Sequence, residues 1–80
     1  MKTLALIPHY NHPTTISHVA ETMRSFGLNV LIVDDGSREE CKPVLQALVS
    51  DGIDVLYRPI NGGKGAAVKT GLEYAEEHGY

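Results

Sequence analysis

The sequence predicts an α/β protein in which three parallel strands alternate with three helices. Three short apolar runs have the length of strands, and a segment with the apolar spacing typical of a helix follows each of them. The strands start about 25 residues apart, which matches βαβ units, whose crossovers are right-handed in nearly all proteins. The predicted order is therefore β-α-β-α-β-α, and a length of 80 residues leaves room for one small domain.

The three predicted strands differ in how completely apolar they are. They cover residues Leu4–Ile7, Val30–Val33 and Ile53–Tyr57. The first two are continuously apolar, which is typical of strands covered on both faces in a parallel sheet. The third contains Asp54, which places it nearer to an edge or an end of the sheet.

Each predicted helix carries one apolar stripe. The first helix begins near Pro13 and ends before Gly27, the second begins near Pro43 and ends before Gly52, and the third ends before Gly79. The stripes comprise Ile16, Val19, Ala20, Met23 and Phe26 in the first helix, Val44, Leu45, Leu48 and Val49 in the second, and Val68, Leu72 and Ala75, with Ala66 and Ala67, in the third. Because each helix presents one apolar stripe to the sheet, the sequence predicts a single pair of layers, with the core between the helices and the sheet.

Composition excludes several classes of function. Hydrophobic residues make up 42% and charged residues 21%, which is typical of a globular protein. A formal charge of −3 argues against nucleic acid as a partner. The single Cys41 excludes an internal disulfide and a cysteine-rich zinc site. After Met1-Lys2-Thr3 the apolar run is too short for a secretory signal, and no run approaches the roughly 18 residues of a membrane helix, so we expect a cytoplasmic protein.

The loops that follow the three strands are the candidate functional segments. Ligands of open parallel sheets bind outside the carboxyl ends of the strands, and these loops would lie along that rim. They cover residues Pro8–Pro13, Asp34–Ser37 and Arg58–Gly65.

Two consecutive carboxylates follow the second strand. Asp34 and Asp35 are candidates for accepting hydrogen bonds from ribose hydroxyls or a base N–H. In the alternative interpretation Asp34 caps a turn and Ser37 caps the next helix, and Asp34 is the better structural candidate of the two.

The other two loops offer a flat ring and a flexible backbone. Tyr10 could stack under a nucleobase, and Asn11 can both donate and accept hydrogen bonds. The Asn61–Gly65 loop could bring backbone N–H groups close to an anion, or it could simply be a turn that lets the third helix pack closely. It lacks the Ser or Thr that follows the lysine of a Walker A loop. His9 and His12 have a spacing seen in metal sites, but no Cys or carboxylate lies near them in the sequence to complete one, so no metal ligand is predicted.

Taken together, the three loops resemble the N-terminal half of a family 2 glycosyltransferase. The resemblance rests on residues 7–11 (Ile-Pro-His-Tyr-Asn), 33–37 (Val-Asp-Asp-Gly-Ser) and 61–67 (Asn-Gly-Gly-Lys-Gly-Ala-Ala). The last of these is similar to the dolichyl-phosphate-mannose-synthase-like branch.

The resemblance implies a partial A-type glycosyltransferase fold, whose nucleotide-binding half is Rossmann-like. It implies that Pro8, Tyr10 and Asn11 border the nucleobase, that Asp35 with Asp34 holds the base or ribose, and that Gly63 and Lys64 lie beside the nucleotide. The partner would be a nucleotide-diphosphate sugar.

The same resemblance implies a divalent metal, Mg²⁺ or Mn²⁺, on the diphosphate in the complete parent enzyme. The Asp-x-Asp motif that would bind it is absent from residues 1–80, so we expect no metal for this chain alone and assign no catalytic residue. We therefore expect residues 1–80 to be the donor-binding part of a longer parent enzyme and to be inactive alone. The parent enzyme could associate with a membrane. We also expect marginal stability and self-association through an open sheet edge.

Two other functions are weighed against this one. A small nucleotide-binding module without catalysis would use the same three loops. A dinucleotide-dependent oxidoreductase would carry an acidic residue after the second strand, as this chain does, but also a glycine-rich fingerprint after the first strand, where this chain has no glycine.

Overall fold

The computed structural model describes residues 3–80. Its helices and strands are β1 (Leu4–His9), α1 (Pro13–Ser25), β2 (Asn29–Asp35), α2 (Lys42–Ser50), β3 (Asp54–Arg58) and α3 (Lys64–Glu77), with a short 3₁₀ turn at Glu39–Cys41. This order confirms the predicted β-α-β-α-β-α arrangement. Met1 and Lys2, which bear on the prediction that no targeting signal is present, lie outside the described residues.

The three strands form one parallel sheet in the order β1-β2-β3. All of β2 after its first residue is buried, because β2 pairs with a strand on each side. The sheet strands extend further than the apolar runs do: β1 continues to His9, and β2 continues through Asp34 and Asp35. Neither carboxylate therefore belongs to a free loop, and consecutive strand residues point to opposite faces of the sheet.

Helices cover both faces of the sheet, so the predicted single pair of layers is wrong. On one face α1 and α2 enclose a cluster of Ile16, Ala20, Val30, Ile32, Leu45, Leu48 and Ile53. On the other face α3 packs over β2 and β1, around Leu31, Val33 and Ala67. Alternate residues of β2 contribute to the two clusters, which is why its apolar run is continuous.

Three residues of the predicted stripes are exposed. Phe26 lies just beyond the last turn of α1 and is 73% exposed, and Val49 of α2 is 49% exposed. Leu72 of α3 is 58% exposed. The contact face of α3 runs instead through Ala67, Gly71 and Tyr74, which are spaced at i, i+4 and i+7. The predicted stripe of α3 is displaced by one residue from the observed contact face. The contact face includes a glycine, which a hydrophobicity pattern does not identify as buried.

None of the helices within residues 3–80 combines the length and the apolar character needed to cross a membrane.

Candidate functional site

The carboxyl ends of the strands surround a cleft of about 410 Å³. The β1–α1 loop forms one wall, the start of α3 with the loop before it forms the other, and the end of β2 contributes Asp35 between them. The lining residues are Pro8, His9, Tyr10, His12, Asp35, Asn61, Gly63, Lys64 and Ala67. Five of the seven residues singled out from the sequence therefore line one cleft, and Asn11 and Asp34 do not.

Asp35 is a buried carboxylate with one oxygen committed to the protein. Its Oδ1 accepts hydrogen bonds from Nη1 of Arg58 at 2.6 Å and from the backbone N–H of Gly62 at 3.1 Å. Only 5% of its side chain is exposed. Both bonds fall on Oδ1, so Oδ2 is the oxygen that remains for a ligand in the cleft.

Asp34 is turned away from the cleft and holds two loops together. Its Oδ1 lies 2.9 Å from Nδ1 of His9 and also accepts the hydroxyl of Ser37. One interpretation of the sequence was that Ser37 caps the next helix, and this is wrong. Neither the 3₁₀ turn nor α2 has a side-chain cap. This geometry agrees with the structural interpretation of Asp34.

The position of the proton on His9 follows from its two partners. Nε2 of His9 accepts a hydrogen bond from the backbone N–H of His12 at 3.0 Å, so Nδ1 carries the ring proton and donates a hydrogen bond to Oδ1 of Asp34. A carboxylate partner for His9 was not evident from the sequence, because Asp34 is 25 residues away in the chain. The parallel register nevertheless pairs these two residues directly.

Asn11 joins the first loop to the second. Its backbone has a φ of 53°, a left-handed conformation that asparagine tolerates better than most residues. Its N–H donates to Oγ of Ser37 at 2.9 Å, and its Oδ1 accepts the N–H of Arg38 at 2.8 Å. The side chain is thus used within the protein, and it fixes the loop that carries Tyr10.

Glycines bring the second and third loops together. Gly36 has a φ of +78°, and a Cβ there would lie 2.7 Å from the backbone nitrogen of Asn61. Gly63, with a φ of +89°, precedes the first turn of α3 and donates its N–H to Oδ1 of Asn61 at 2.8 Å. The start of α3 therefore faces the cleft with Lys64 at its first position.

Two residues of the site are not singled out by the sequence. Asn61 lines the cleft, and Arg58 pairs with Asp35 without lining it. The register of β2 and β3 places Arg58 directly beside Asp35, which a parallel alignment of the two strands could have revealed. The order of the strands had to be known first.

The described residues do not supply a metal-ligand set. Within residues 3–80 no group of three or more histidine, cysteine, aspartate or glutamate side chains is placed to hold a metal ion. Asp34 and Asp35 are engaged by different partners on opposite sides of β2, so they do not chelate one ion together. The divalent metal stays an expectation for the parent enzyme.

Comparison with known proteins identifies the family. The family model described as glycosyl transferase family 2 matches residues 5–78. Searches among curated proteins and among solved structures found no match. The matched segment contains β1 except Leu4, all of β2 and β3, all three α-helices, and every residue that lines the cleft. Because this match covers more than half of the chain, the chain belongs to glycosyl transferase family 2.

Proposed function

We propose that the chain binds the nucleotide of a nucleotide-sugar donor in the cleft and forms the donor side of an enzyme that transfers the sugar to an acceptor. One observation carries this proposal: a buried carboxylate, an exposed aromatic ring and the cationic start of a helix all line one cleft. These three features match a nucleoside and a diphosphate placed end to end.

The nucleoside would lie between the β1–α1 loop and Asp35. Tyr10 is 44% exposed at the cleft, so its ring is available for stacking on a base. Oδ2 of Asp35 would accept a hydrogen bond from the base or the ribose. Pro8 would border the base, while Asn11 and Asp34 would support the site by fixing the two loops.

The diphosphate would lie at the start of α3. The first backbone N–H groups of a helix have no partner within the helix and favour an anion. Lys64 adds a positive charge at the same place, and Gly63 keeps side-chain atoms out of the way. No step of this proposal depends on a metal.

Nucleotide titration of the chain tests this assignment. UDP and GDP are each titrated by calorimetry into the wild type, Asp35→Asn and Asp51→Asn. A charge-assisted hydrogen bond contributes about 1.5–3 kcal/mol. Asp35→Asn should therefore lower the affinity for whichever of the two nucleotides the wild type binds more tightly by about tenfold to a hundredfold. Asp51→Asn is the matched control, since Asp51 is exposed at the opposite end of the strands.

The acceptor is assigned to no residue in this proposal. Folded Asp35→Asn that binds the nucleotide as tightly as the wild type would show that Asp35 has no nucleoside role. Absence of UDP and GDP binding by the wild type would reject donor binding by this chain. The similarity to the dolichyl-phosphate-mannose-synthase-like branch stays a prediction.

A further inference from the structure

Arg58 and Asp35 occupy the last positions of two neighbouring strands. They are register partners in the β2–β3 pairing, and their side chains form an ion pair of 2.6 Å between Nη1 and Oδ1. We infer that Arg58 is a positioning residue that holds Oδ2 of Asp35 towards the nucleoside. This inference rests on the proposed function and adds a residue to that site.

Two donors fix the orientation of the Asp35 carboxylate. Nη1 of Arg58 and the backbone N–H of Gly62 both donate to Oδ1, which fills the two acceptor positions of that oxygen. The donors come from the end of β3 and from the loop before α3, so they approach from different segments. Rotation of the carboxylate would break both bonds, and Oδ2 is held in one direction.

The guanidinium is itself covered by the glycine loop. A Cβ on Gly62 would lie 3.0 Å from Nη2 and 3.1 Å from Nη1 of Arg58, so the loop backbone at Gly62 lies close against the guanidinium. Only 25% of the Arg58 side chain is exposed, and Arg58 is not among the residues that line the cleft. Its effect on a nucleotide must therefore pass through Asp35.

The chemistry of arginine suits this role better than that of lysine. A guanidinium is planar, stays charged and offers several N–H donors in a fixed geometry, whereas an ammonium is a mobile point charge. The pair also sets a positive charge against one of two consecutive carboxylates. Asp34 obtains its own partners, His9 and Ser37, on the other side of the strand.

A double-mutant cycle tests the inference. The variants are Arg58→Gln, Asp35→Asn, the combination of both, and Arg58→Lys, with Arg24→Gln as a control that removes the same charge at the far end of α1. Each is titrated with UDP and uridine, or with GDP and guanosine, whichever pair the wild type binds better. Thermal unfolding of every variant is measured in parallel.

A positioning role predicts a specific pattern. Arg58→Gln should weaken binding of the nucleoside and of its diphosphate by the same factor, about tenfold. When Asp35 is already Asn, the same substitution should weaken binding by about twofold or less. Arg58→Lys should fall between Arg58→Gln and the wild type, and Arg24→Gln should bind as the wild type does. A merely structural role would lower the unfolding temperature without this coupling to Asp35.

Three results would overturn the inference while leaving the proposed function intact. These are wild-type affinity of folded Arg58→Gln, the same tenfold loss in the Asp35→Asn background, and a larger loss for the diphosphate than for the nucleoside. If Arg58→Gln does not fold, Arg58→Lys decides, and wild-type affinity of that variant overturns the inference. Wild-type affinity of folded Asp35→Asn removes the nucleoside role of Asp35 and overturns the inference with it, whereas absence of UDP and GDP binding by the wild type rejects the proposed function itself.

Discussion

Two neighbouring aspartates of this chain have different surroundings because they point to opposite faces of one strand. Asp34 is held by a histidine and a serine, and Asp35 by an arginine and a backbone N–H. Adjacent carboxylates repel each other in the absence of such partners. The sequence placed the pair at the rim of the sheet, but only the strand register shows which aspartate faces the cleft.

At the residue scale, Tyr74 gives the chain a pH dependence at high pH. Its hydroxyl donates to Oδ2 of Asp54 at 2.7 Å, and this hydrogen bond, followed by burial and the charge of Asp54, raises the pKa of Tyr74 to about 12. The unfolded chain loses the same proton near pH 10. The stabilisation is therefore complete below pH 10 and is lost as the pH rises from about 10 to about 12.

The variant Tyr74→Phe tests this dependence. Between pH 10 and pH 12 the free energy of unfolding should fall more steeply in the wild type than in Tyr74→Phe, because only the wild type has this proton to lose. Urea denaturation over a pH series gives both slopes, and absorbance of the tyrosinate gives the titration itself. Equal slopes in the two proteins would contradict the assigned pKa.

At the scale of the elements, the type and order of helices and strands were predictable and the contact face of α3 was not. Periodicity located all three helices, and Pro13 marks the first residue of α1. The site was predictable in part, because Pro8 and Tyr10 lie at the carboxyl end of β1 and Lys64 begins the helix after β3. Arg58 and the turned-away Asp34 depend on register, and Gly71 is a contact that no hydrophobicity scale marks.

Close packing of α3 on β1 makes Gly71 a sensitive position. A Cβ on Gly71 would overlap the side chain of Leu6, including its Cγ, so either Leu6 or α3 must move. Overpacking costs about 1–3 kcal/mol, while alanine gains about 1 kcal/mol over glycine inside a helix. We therefore expect Gly71→Ala to lower the free energy of unfolding by about 1 kcal/mol.

The control is Gly65→Ala in the same helix. A Cβ on Gly65 would meet no atom within 4 Å, so that variant should be as stable as the wild type or more stable. Urea denaturation compares the three proteins, and adding Leu6→Ala to Gly71→Ala should relieve the overlap. A stabilised Gly71→Ala would mean that α3 lies further from β1 than described.

At the scale of the whole molecule, the sheet has two outer edges. Within residues 3–80 the outer sides of β1 and β3 pair with no strand, and the β3 side carries Tyr57, which is 45% exposed. An open edge is a template for pairing with another chain. The formal charge of −3 gives little repulsion between copies.

We expect the chain to associate reversibly as its concentration rises. Sedimentation measures this for the wild type, Tyr57→Lys and Phe26→Lys, because a lysine on an edge strand opposes pairing. Phe26 is exposed but lies at the end of α1, away from both edges, so Phe26→Lys should associate as the wild type does. A wild type that stays monomeric at every concentration would show that the edges are protected. Equal effects of both substitutions would indicate nonspecific hydrophobic association instead of edge pairing.

The opposite placement of α1 and α3 explains why a hollow exists at this end of the sheet at all. The chain leaves β1 towards one face of the sheet and leaves β3 towards the other, so the two connections diverge above the end of β2. The path of the backbone therefore creates the space, and the side chains that project into it only select what occupies it. Relatives that keep this path could exchange Tyr10, Asn61 or Lys64 and accept a different ligand without rebuilding the protein.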